Sequence, residues 1–291
     1  MSEGRELNFE GPSPILYLIA TPIGNRSEMT PRAIEVLKDC DFIAAEDTRN
    51  SGQLMAYFGI DKPFISCHEH NEEESSNRII SLLKEGKKVC FMSDAGYPCL
   101  SDPGQRLVAN CLENGIKVTV TSGPNAAINA LACSGLDSSH FHFEGFLPAK
   151  DSERTARLRE LLSNPDTLIF YESPHRVFRT LLAMSAVLGG ERKAVLAREL
   201  TKAHEEFIRG TLASLCLEPE DSLRGEMVIV VEGASKKAES LSDTEIALAL
   251  RDQLEWGETP KKAIQNVCLA NNLPKNRVYD IYLKNFKRDE D

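Results

Sequence analysis

Short runs rich in β-branched and aromatic residues alternate along the chain with longer stretches in which apolar residues recur every three or four positions. The first pattern is typical of buried strands and the second of amphipathic helices. Strands are predicted at residues 15–20, 42–45, 64–67, 88–92, 117–121, 141–146, 167–172, 194–198, 206–210 and 226–232. Helices are predicted at residues 31–39, 51–57, 73–85, 104–114, 125–133, 152–163, 174–187, 243–255, 260–271 and 274–286. This alternation indicates an α/β fold with largely parallel sheets.

Two interruptions of the pattern suggest domain boundaries. The loop at residues 122–125 is rich in Gly and Pro, and the segment 233–242 is small, polar and charged before a purely helical region. We therefore predict an N-terminal α/β domain at 13–122, a C-terminal α/β domain at 123–233 and a small helical domain at 242–288. The turn between its last two helices favours a helix-turn-helix-like unit. The predicted core face of this unit consists of Ile264, Val267, Val278, Ile281 and Tyr282.

Several predicted strands are followed by a polar loop and then by a capping residue before proline. These pairs are Thr30-Pro31, Asp102-Pro103 and Ser173-Pro174. A Ser, Thr or Asp side chain caps the first amides of a helix, and Pro suits the first helical position. The loops at 21–30 and 93–102 are longer than the usual connections of about 2–6 residues. Ligands of open α/β sheets bind at this edge, although elaborate turn chemistry is the alternative.

Composition narrows the class of protein. The 291 residues include 34 Lys and Arg against 44 Asp and Glu, for a formal net charge of −10. This balance argues against a protein that covers nucleic acid or an anionic membrane with its whole surface. The strand-end loops also lack the Gly-x-Gly-x-x-Gly pattern of dinucleotide-binding proteins and the phosphate-binding P-loop pattern.

The cysteines and the N-terminus indicate a cellular location. None of the eight cysteines belongs to a Cys-x-x-Cys pair, so a zinc ribbon or thioredoxin-like site is not predicted. Residues 1–10 are polar and acidic, and the apolar runs are far shorter than the roughly 20 residues that span a bilayer. We predict a soluble cytoplasmic protein with buried free thiols and no membrane partner.

Ordered motifs occur along most of the chain. They are Thr21–Asn25, Ala45–Arg49, Ser93–Gly96 with Ser101–Gly104, Gly123–Ala127, Glu144–Pro148, Tyr171–Arg176, Ala197–Lys202 and Gly225–Met227. Together they closely resemble the motifs of the ribosomal RNA small-subunit methyltransferase I family, a branch of the tetrapyrrole methylase superfamily. The resemblance covers residues 13–233, and the C-terminal helices look like the helical domain that this family adds.

The resemblance implies an activity and a cofactor. Its members transfer a methyl group from S-adenosylmethionine to the ribose 2′-hydroxyl of a cytidine in the decoding region of 16S rRNA in the small ribosomal subunit. They fold as two α/β domains with the cofactor in the cleft between them, and they are typically homodimers. The positions that match cofactor-contacting residues are Pro22, Ser93, Asp94, Tyr97, Asn125, Ala126 and Glu172. Tyr97 stands where this branch usually has Thr, and Ser122 stands where it usually has Pro.

Methyl transfer from this donor requires alignment of the two reactants and a general base, and it requires no metal ion. The sulfonium donor is already activated, whereas a ribose hydroxyl is a weak nucleophile that benefits from a positioned general base. We assign the catalytic role to Glu46, Asp47 and Arg49, with no metal site. The alternative for Asp47 is that it caps the following helix and pairs with Arg49. His68 and His70 fit a loop cluster or an RNA contact better than a metal site.

Basic residues suggest where RNA would bind. Residues 259–288 contain seven Lys and Arg against one acidic residue, Asp280. The predicted RNA contacts are Arg176, Lys202, Lys261, Lys262, Lys275 and Arg277. The alternatives are ion pairs for Arg176 and Lys202 and a solvated face for the C-terminal helices. Two other functions stay open: methylation of a small tetrapyrrole, and a non-enzymatic helix-turn-helix regulator that binds nucleic acid.

Overall fold

The computed structural model describes residues 7–8, 14–234, 242–271 and 273–286. The chain divides into two compact units, Met1–Gly233 and Ala234–Asp291. The first unit contains two five-stranded sheets with their helices, and the second contains three helices. The further division of the first unit at residues 122–123 stays a prediction, and the predicted ends at 13 and at 287–288 lie outside the described residues.

The first sheet is wholly parallel. Its strands are β1 (Ile15–Ile19), β2 (Phe42–Ala45), β3 (Phe64–Ser66), β4 (Val89–Met92) and β5 (Lys117–Thr121), in the order β3-β2-β4-β1-β5. Its helices are α1 (Pro31–Asp39), α2 (Thr48–Tyr57), α3 (Glu72–Lys84) and α4 (Gln105–Glu113). The next helix, α5 (Ala126–Ser134), packs against the second sheet. All four residues of β4 are buried, as expected for a central strand covered on both faces.

The second sheet is mixed. Its strands are β6 (Phe141–Phe146), β7 (Thr167–Glu172), β8 (Lys193–Arg198), β9 (Glu206–Thr211) and β10 (Met227–Val231), in the order β6-β7-β10-β8-β9. Its helices are α6 (Asp151–Leu161), α7 (Val177–Leu188) and the short α8 (Leu212–Leu215). Only β6 and β7 pair in parallel, whereas β10 runs antiparallel to both of its neighbours and β9 antiparallel to β8.

The prediction of largely parallel sheets is therefore confirmed for the first sheet and wrong for the second. The connection at residues 199–205 joins β8 directly to β9. It is too short for a parallel crossover, which needs about a dozen residues or more. The predicted pattern already breaks here, because no helix is predicted between the strands at 194–198, 206–210 and 226–232, and the prediction of parallel sheets overlooked this signal of antiparallel pairing.

The predicted helix starts are partly confirmed. Thr30 caps α1, with its hydroxyl accepting from the Ala33 amide at 3.3 Å, and Pro31 is the first helical residue. The other two proline pairs do not start helices: α4 begins at Gln105, and α7 begins at Val177. The carboxylate of Glu72 caps α4 instead, because its Oε1 accepts from three of the first amides, those of Gly104, Arg106 and Leu107, at 3.1–3.2 Å.

The second unit is a three-helix bundle. Its helices are α9 (Asp243–Glu255), α10 (Pro260–Asn271) and α11 (Lys275–Phe286). The predicted core residues Ile264, Val267, Val278 and Ile281 are buried at its centre, and Tyr282 packs against them. Ser242 caps α9 in a reciprocal capping box with Glu245. None of the described helices is long and apolar enough to cross a membrane.

A candidate active site at the strand ends

The two long loops of the first sheet meet where their strands end. β1 and β4 are parallel neighbours, so the loops that follow them start side by side. The Thr21 amide donates to the Gly96 carbonyl at 2.9 Å, and the Gly96 amide donates back to Thr21 at 3.1 Å. Gly96 has a φ of +75°, a conformation that glycine adopts without strain. This paired backbone fixes the floor of the site.

The loop after β8 packs against the loop after β1. The Asn25 amide donates to the Thr201 hydroxyl at 3.1 Å. A Cβ at Gly24 would lie 2.5 Å from Cγ of Lys202 and 2.9 Å from the Thr201 hydroxyl, so a larger residue at this position would displace these side chains. Both halves of the α/β unit therefore contribute to one site.

A first cavity of about 300 Å³ lies at this junction. Four of the predicted cofactor residues line it: Tyr97, Asn125, Ala126 and Glu172. The sequence interpretation missed the rest of its lining, which includes Ile23, Leu100, Asp102, Phe146, Tyr171, Leu200, Glu226, Met227 and Val228. Asp102 was expected to cap a helix, and the motif that contains it was the only signal for another role.

The polar groups of the first cavity are held by the chain itself. The buried Glu172 carboxylate accepts from its neighbouring Ser173 amide at 2.9 Å and from the Thr180 hydroxyl at 2.7 Å. The Tyr97 hydroxyl accepts from the Gly123 amide at 3.0 Å. Asn125 caps α5, with its Oδ1 accepting from the Ile128 amide at 3.0 Å. These contacts give the cavity a preformed wall.

The remaining predicted cofactor residues lie elsewhere. Ser93 is fully buried and lines neither this cavity nor the next. Pro22 and Asp94 line a second cavity of about 200 Å³. The other residues of this second cavity are Gly24, Arg26, Asn50, Ser51, Gln53, Leu54 and Met92. The side-chain amide of Asn50 donates to Oδ2 of Asp94 at 3.0 Å.

Glu46 lies close to carboxylates of both cavities. Burial raises the pKa of Glu46 most, and the negative charges of Asp102 and Asp94 raise it further. Burial also raises the pKa of Asp102, to which the charge of Asp94 adds. A half-buried carboxyl with a raised pKa is well suited to accept a proton.

Asp47 has the opposite environment. Its Oδ1 accepts from the Arg49 amide at 2.9 Å and so caps α2, while the Arg49 guanidinium contacts both carboxylate oxygens at 3.2 and 3.0 Å. These hydrogen bonds lower the pKa of Asp47. The structure thus shows the alternative for Asp47, in which it caps α2 and pairs with Arg49. The Arg49 side chain is 87% exposed.

Arg176 and Lys202 take part in internal contacts. The Arg176 guanidinium donates to the Leu147 carbonyl at 2.7 Å and lies 3.3 Å from Glu172. The Lys202 ammonium lies 2.9 Å from Glu199 and 3.0 Å from Glu226. The structure therefore shows the ion-pair alternative for both residues.

The basic residues of the three-helix unit lie at its surface. Lys261, Lys262 and Lys275 are exposed and Arg277 is half-buried. Lys262 lies 3.3 Å from Glu258, and Arg277 lies 2.9 Å from Asp243. Two further basic residues of this segment, Lys287 and Arg288, lie outside the described residues.

The histidines and cysteines contribute no evident chemistry to the site. The His68 amide donates to Asn71 Oδ1 at 2.8 Å, and its ring meets that of His70 edge-on at 6.0 Å. Within the part of the chain that the structure describes, no three His, Cys, Asp or Glu residues are grouped to hold a metal ion. The prediction of buried thiols is confirmed for Cys40, Cys67, Cys90 and Cys111, whereas Cys133 is exposed.

Comparison with known proteins agrees with this arrangement. Residues 15–216 match the family model of tetrapyrrole (corrin/porphyrin) methylases. The chain is 45% identical over 280 residues to ribosomal RNA small subunit methyltransferase I of Haemophilus influenzae, covering 94% of this chain and 98% of the relative. It is 43% identical over 288 residues to the protein of the same name from Bacillus subtilis, covering 96% and 98%.

Solved structures show the same fold at low identity. The uroporphyrin-III-C-methyltransferase of Thermus thermophilus covers 75% of this chain with a TM-score of 0.52 and 20% identity, and 94% of that protein is matched. The methyltransferase CobJ covers 77% with a TM-score of 0.58 and 16% identity, and 95% of it is matched.

Proposed function

The chain belongs to the tetrapyrrole methylase family and, within it, to the family of ribosomal RNA small subunit methyltransferase I, and we propose on this basis that it methylates small-subunit rRNA. The proposed reaction transfers a methyl group from S-adenosylmethionine to the 2′-hydroxyl of a cytidine ribose in the decoding region of 16S rRNA. The proposed partner is 16S rRNA or the small ribosomal subunit. We also propose a cytoplasmic homodimer.

The observation that carries this proposal is the first cavity, which both sheets build at the strand ends. Its apolar residues, such as Leu200 and Met227, suit the adenine and thioether parts of the donor, and the carboxyls of Asp102 and Glu226 suit its cationic and hydroxyl groups. We assign cofactor contact to Tyr97, Asn125, Ala126 and Glu172. When bound, the donor supplies a methyl group on a positively charged sulfonium.

We propose Glu46 as the general base that acts on the acceptor hydroxyl. Its raised pKa and its position near Asp102 and Asp94 favour it as the group that takes the proton from the 2′-hydroxyl. Asp47 is a weaker candidate, because its hydrogen bonds with Arg49 lower its pKa and occupy both of its oxygens. We therefore assign Asp47 and Arg49 to holding the start of α2 beside Glu46.

The proposed contacts with the RNA backbone lie in the three-helix unit. Lys261, Lys262 and Lys275 are exposed there, so their ammonium groups are available to phosphates. Arg277 retains an ion pair with Asp243, which a phosphate would have to replace. Arg176 and Lys202 are better explained as groups that hold the walls of the first cavity.

A transfer assay tests the proposal. The protein is incubated with labelled S-adenosylmethionine and, in parallel, with unmethylated small ribosomal subunits, naked 16S rRNA or a reduced tetrapyrrole (a porphyrinogen). We expect label in a cytidine ribose of the small-subunit RNA, identified by nuclease digestion and mass spectrometry. Label in the tetrapyrrole alone would replace the proposal with small-molecule methylation. Tight RNA binding without transfer would favour a non-enzymatic regulator.

A further inference from the structure

Trp256, the only tryptophan of the chain, lies at the surface of the three-helix unit. The residue is 88% exposed, the highest value among the large apolar residues that the structure describes. Tryptophan is highly buried on average in folded proteins, and it is enriched in interfaces, where its flat ring packs against a partner. A ring so fully exposed to water therefore raises the question of what covers it.

The backbone that carries this ring is held by hydrogen bonds. Trp256 is the C-cap of α9, and Gly257 follows it with a φ of +86°. The Gly257 amide donates to the Leu254 carbonyl at 3.0 Å, and the Glu258 amide donates to the Gln253 carbonyl at 3.1 Å. These two bonds are those of a Schellman motif, which fixes the end of a helix. A partner that packs on the ring would therefore not have to order a loop first.

Two lysines follow the ring across a short turn. Residues 257–259 connect α9 to α10, which begins at Pro260 and continues with the exposed Lys261 and Lys262. Positive charge in the first turn of a helix is unfavourable to the helix, so these lysines do not stabilise α10 by their position. The Lys262 side chain is 62% exposed, although its ammonium lies 3.3 Å from Glu258. An aromatic ring and two cations thus lie on either side of a three-residue turn.

An exposed aromatic ring beside cations is the arrangement with which proteins bind single-stranded nucleic acid. The ring stacks on the face of an unpaired base, and the cations contact the phosphates. Residues 259–288 contain seven Lys and Arg against one acidic residue, so the charge of this segment suits a polyanion. Asp252 and Glu255, which are exposed on α9, would repel phosphates, so the strand should follow the α10 side of the ring. A duplex keeps its bases stacked on each other and would leave the ring uncovered.

We infer that Trp256 stacks on an unpaired base of single-stranded RNA, whose phosphates contact Lys261 and Lys262. The choice of RNA as the partner rests on the proposed function. The inference goes further in naming the kind of RNA structure that the three-helix unit binds, which is an unpaired segment rather than a duplex, and in adding a stacking contact to the contacts with the backbone.

The tryptophan fluorescence of the full chain tests the stacking contact directly. Because the chain has one tryptophan, its emission reports on this ring alone. The protein is titrated with a single-stranded RNA of about 12 nucleotides, within the usual site sizes for single strands, and separately with the same strand annealed to its complement. We expect the single strand to cause a saturating loss of emission, because a stacked base quenches the indole, and the duplex to leave the emission nearly unchanged.

Three variants separate stacking from charge attraction: Trp256→Leu, Trp256→Phe and the control Leu217→Ala, which shortens an apolar residue of the α/β unit that is 83% exposed. Filter binding measures the affinity for the single strand at several salt concentrations. Trp256→Leu should weaken binding about tenfold at each of them and leave the slope of log K against log salt unchanged, because no phosphate contact is lost. Trp256→Phe should keep most of the affinity, since a smaller ring still stacks. Leu217→Ala should keep the wild-type affinity and the wild-type loss of emission.

Several results would overturn the inference. Equal affinities of Trp256→Leu and Leu217→Ala would do so, as would an emission that responds equally to the single strand and to the duplex. An emission that changes with protein concentration and not with RNA would mean that a second copy of the chain covers the ring. Methyl transfer to small subunits is measured in parallel. If the wild-type protein transfers the methyl group but its emission does not respond to the single strand, the inference fails and the proposed function stands. If it binds the single strand through Trp256 but transfers no methyl group, the inference is supported and the proposed function fails.

Discussion

The loop after β4 contributes residues to both cavities, and the two cavities differ in which parts of the fold build them. The first takes its lining from both sheets, so the loop residues Gly96 and Tyr97 face apolar residues of β10 such as Met227 and Val228. The lining of the second lies within Pro22–Asp94, where the start of α2 brings polar side chains. A single strand-end loop thus contributes to a largely apolar cavity and to a more polar one.

Glu46, whose pKa is raised by carboxylates of both cavities as well as by burial, gives the largest expected effect. Replacing it with Gln removes the proposed base without changing the size of the side chain. We expect kcat to fall by about 10²–10⁴-fold, the usual contribution of general-base catalysis, with donor affinity unchanged. Steady-state kinetics with small subunits and calorimetry with the donor measure the two effects.

Glu35→Gln is the matched control for Glu46→Gln, because Glu35 is an exposed glutamate of α1 that lines neither cavity. The wild-type rate should also rise with pH through a pKa above the ordinary value for Glu of about 4.3, because the pKa of Glu46 is raised. Glu46→Gln should lack this rise. A Glu46→Gln variant with the wild-type kcat would exclude the proposed base.

A glycine of the shared loop tests whether the first cavity is the donor site. Gly96→Ala places a side chain at a φ of +75°, with its Cβ about 3.5 Å from Ile23 of the cavity wall. Left-handed backbone costs a non-glycine residue about 1–2 kcal/mol, so shifting the loop should raise the Kd for S-adenosylmethionine about tenfold. Calorimetric titration with the donor measures this change.

Gly86→Ala controls for strain alone. Gly86 has a φ of +83°, and an added Cβ would meet nothing within 4 Å. Both variants should lose similar stability, but Gly86→Ala should keep the wild-type Kd. Equal donor affinity in the two variants would mean that the first cavity is not the donor site.

Neither cavity is lined by a group of several basic residues, so we expect the RNA backbone to bind elsewhere on the protein. Removing Lys261 and Lys262 together should weaken binding of small-subunit RNA a few-fold and lower the slope of log K against log salt by about 1.4, since each phosphate contact to a single strand contributes about 0.7. Filter binding at several salt concentrations measures the slope. The double variant Lys38→Ala with Lys87→Ala removes two exposed lysines of the α/β unit and should leave the slope unchanged. An equal loss in both pairs would indicate general charge attraction.

Local signals account for most of what the sequence predicts correctly. Thr30 before Pro31 predicts the start of α1 because capping depends on neighbouring residues. The apolar spacing of Ile264, Val267, Val278 and Ile281 predicts the core of the three-helix unit for the same reason. Four of the seven predicted cofactor residues line the first cavity, and they lie within or next to the ordered motifs of the sequence.

Contacts between distant segments account for what the sequence does not predict. Asp102 was expected to cap α4, but Glu72, 32 positions before Gly104, supplies that carboxylate and leaves Asp102 at the cavity. The antiparallel place of β10 between β7 and β8 likewise depends on long-range pairing. The contribution of the loop after β4 to two different cavities also depends on residues distant in sequence, and no local pattern encodes it.

The smallest expected effect is on the stability of the folded protein, to which the adjacent carboxyls of Glu46 and Asp47 contribute with opposite signs. The folded-state pKa of Glu46 is raised, so its negative charge disfavours the folded state at neutral pH. Glu46→Gln should therefore raise the unfolding temperature at pH 7, and this gain should vanish as the pH falls below the unfolded value of about 4.3, where Glu46 is protonated in both states. Thermal unfolding followed by circular dichroism at pH 7 and at about pH 4 measures the change.

Asp47→Asn should have the opposite sign. The folded-state pKa of Asp47 is lowered by Arg49, so its charge favours the folded state above the unfolded value of about 3.9. Its replacement should lower the unfolding temperature at pH 7, and the loss should persist near pH 4, because the folded carboxyl is still ionised there. At about pH 4 the two variants should therefore differ: the change in unfolding temperature should be nearly absent for Glu46→Gln and still present for Asp47→Asn. If both variants lost stability at pH 7, Glu46 would be a structural ion like Asp47, and the proton acceptor would have to be sought in Asp102.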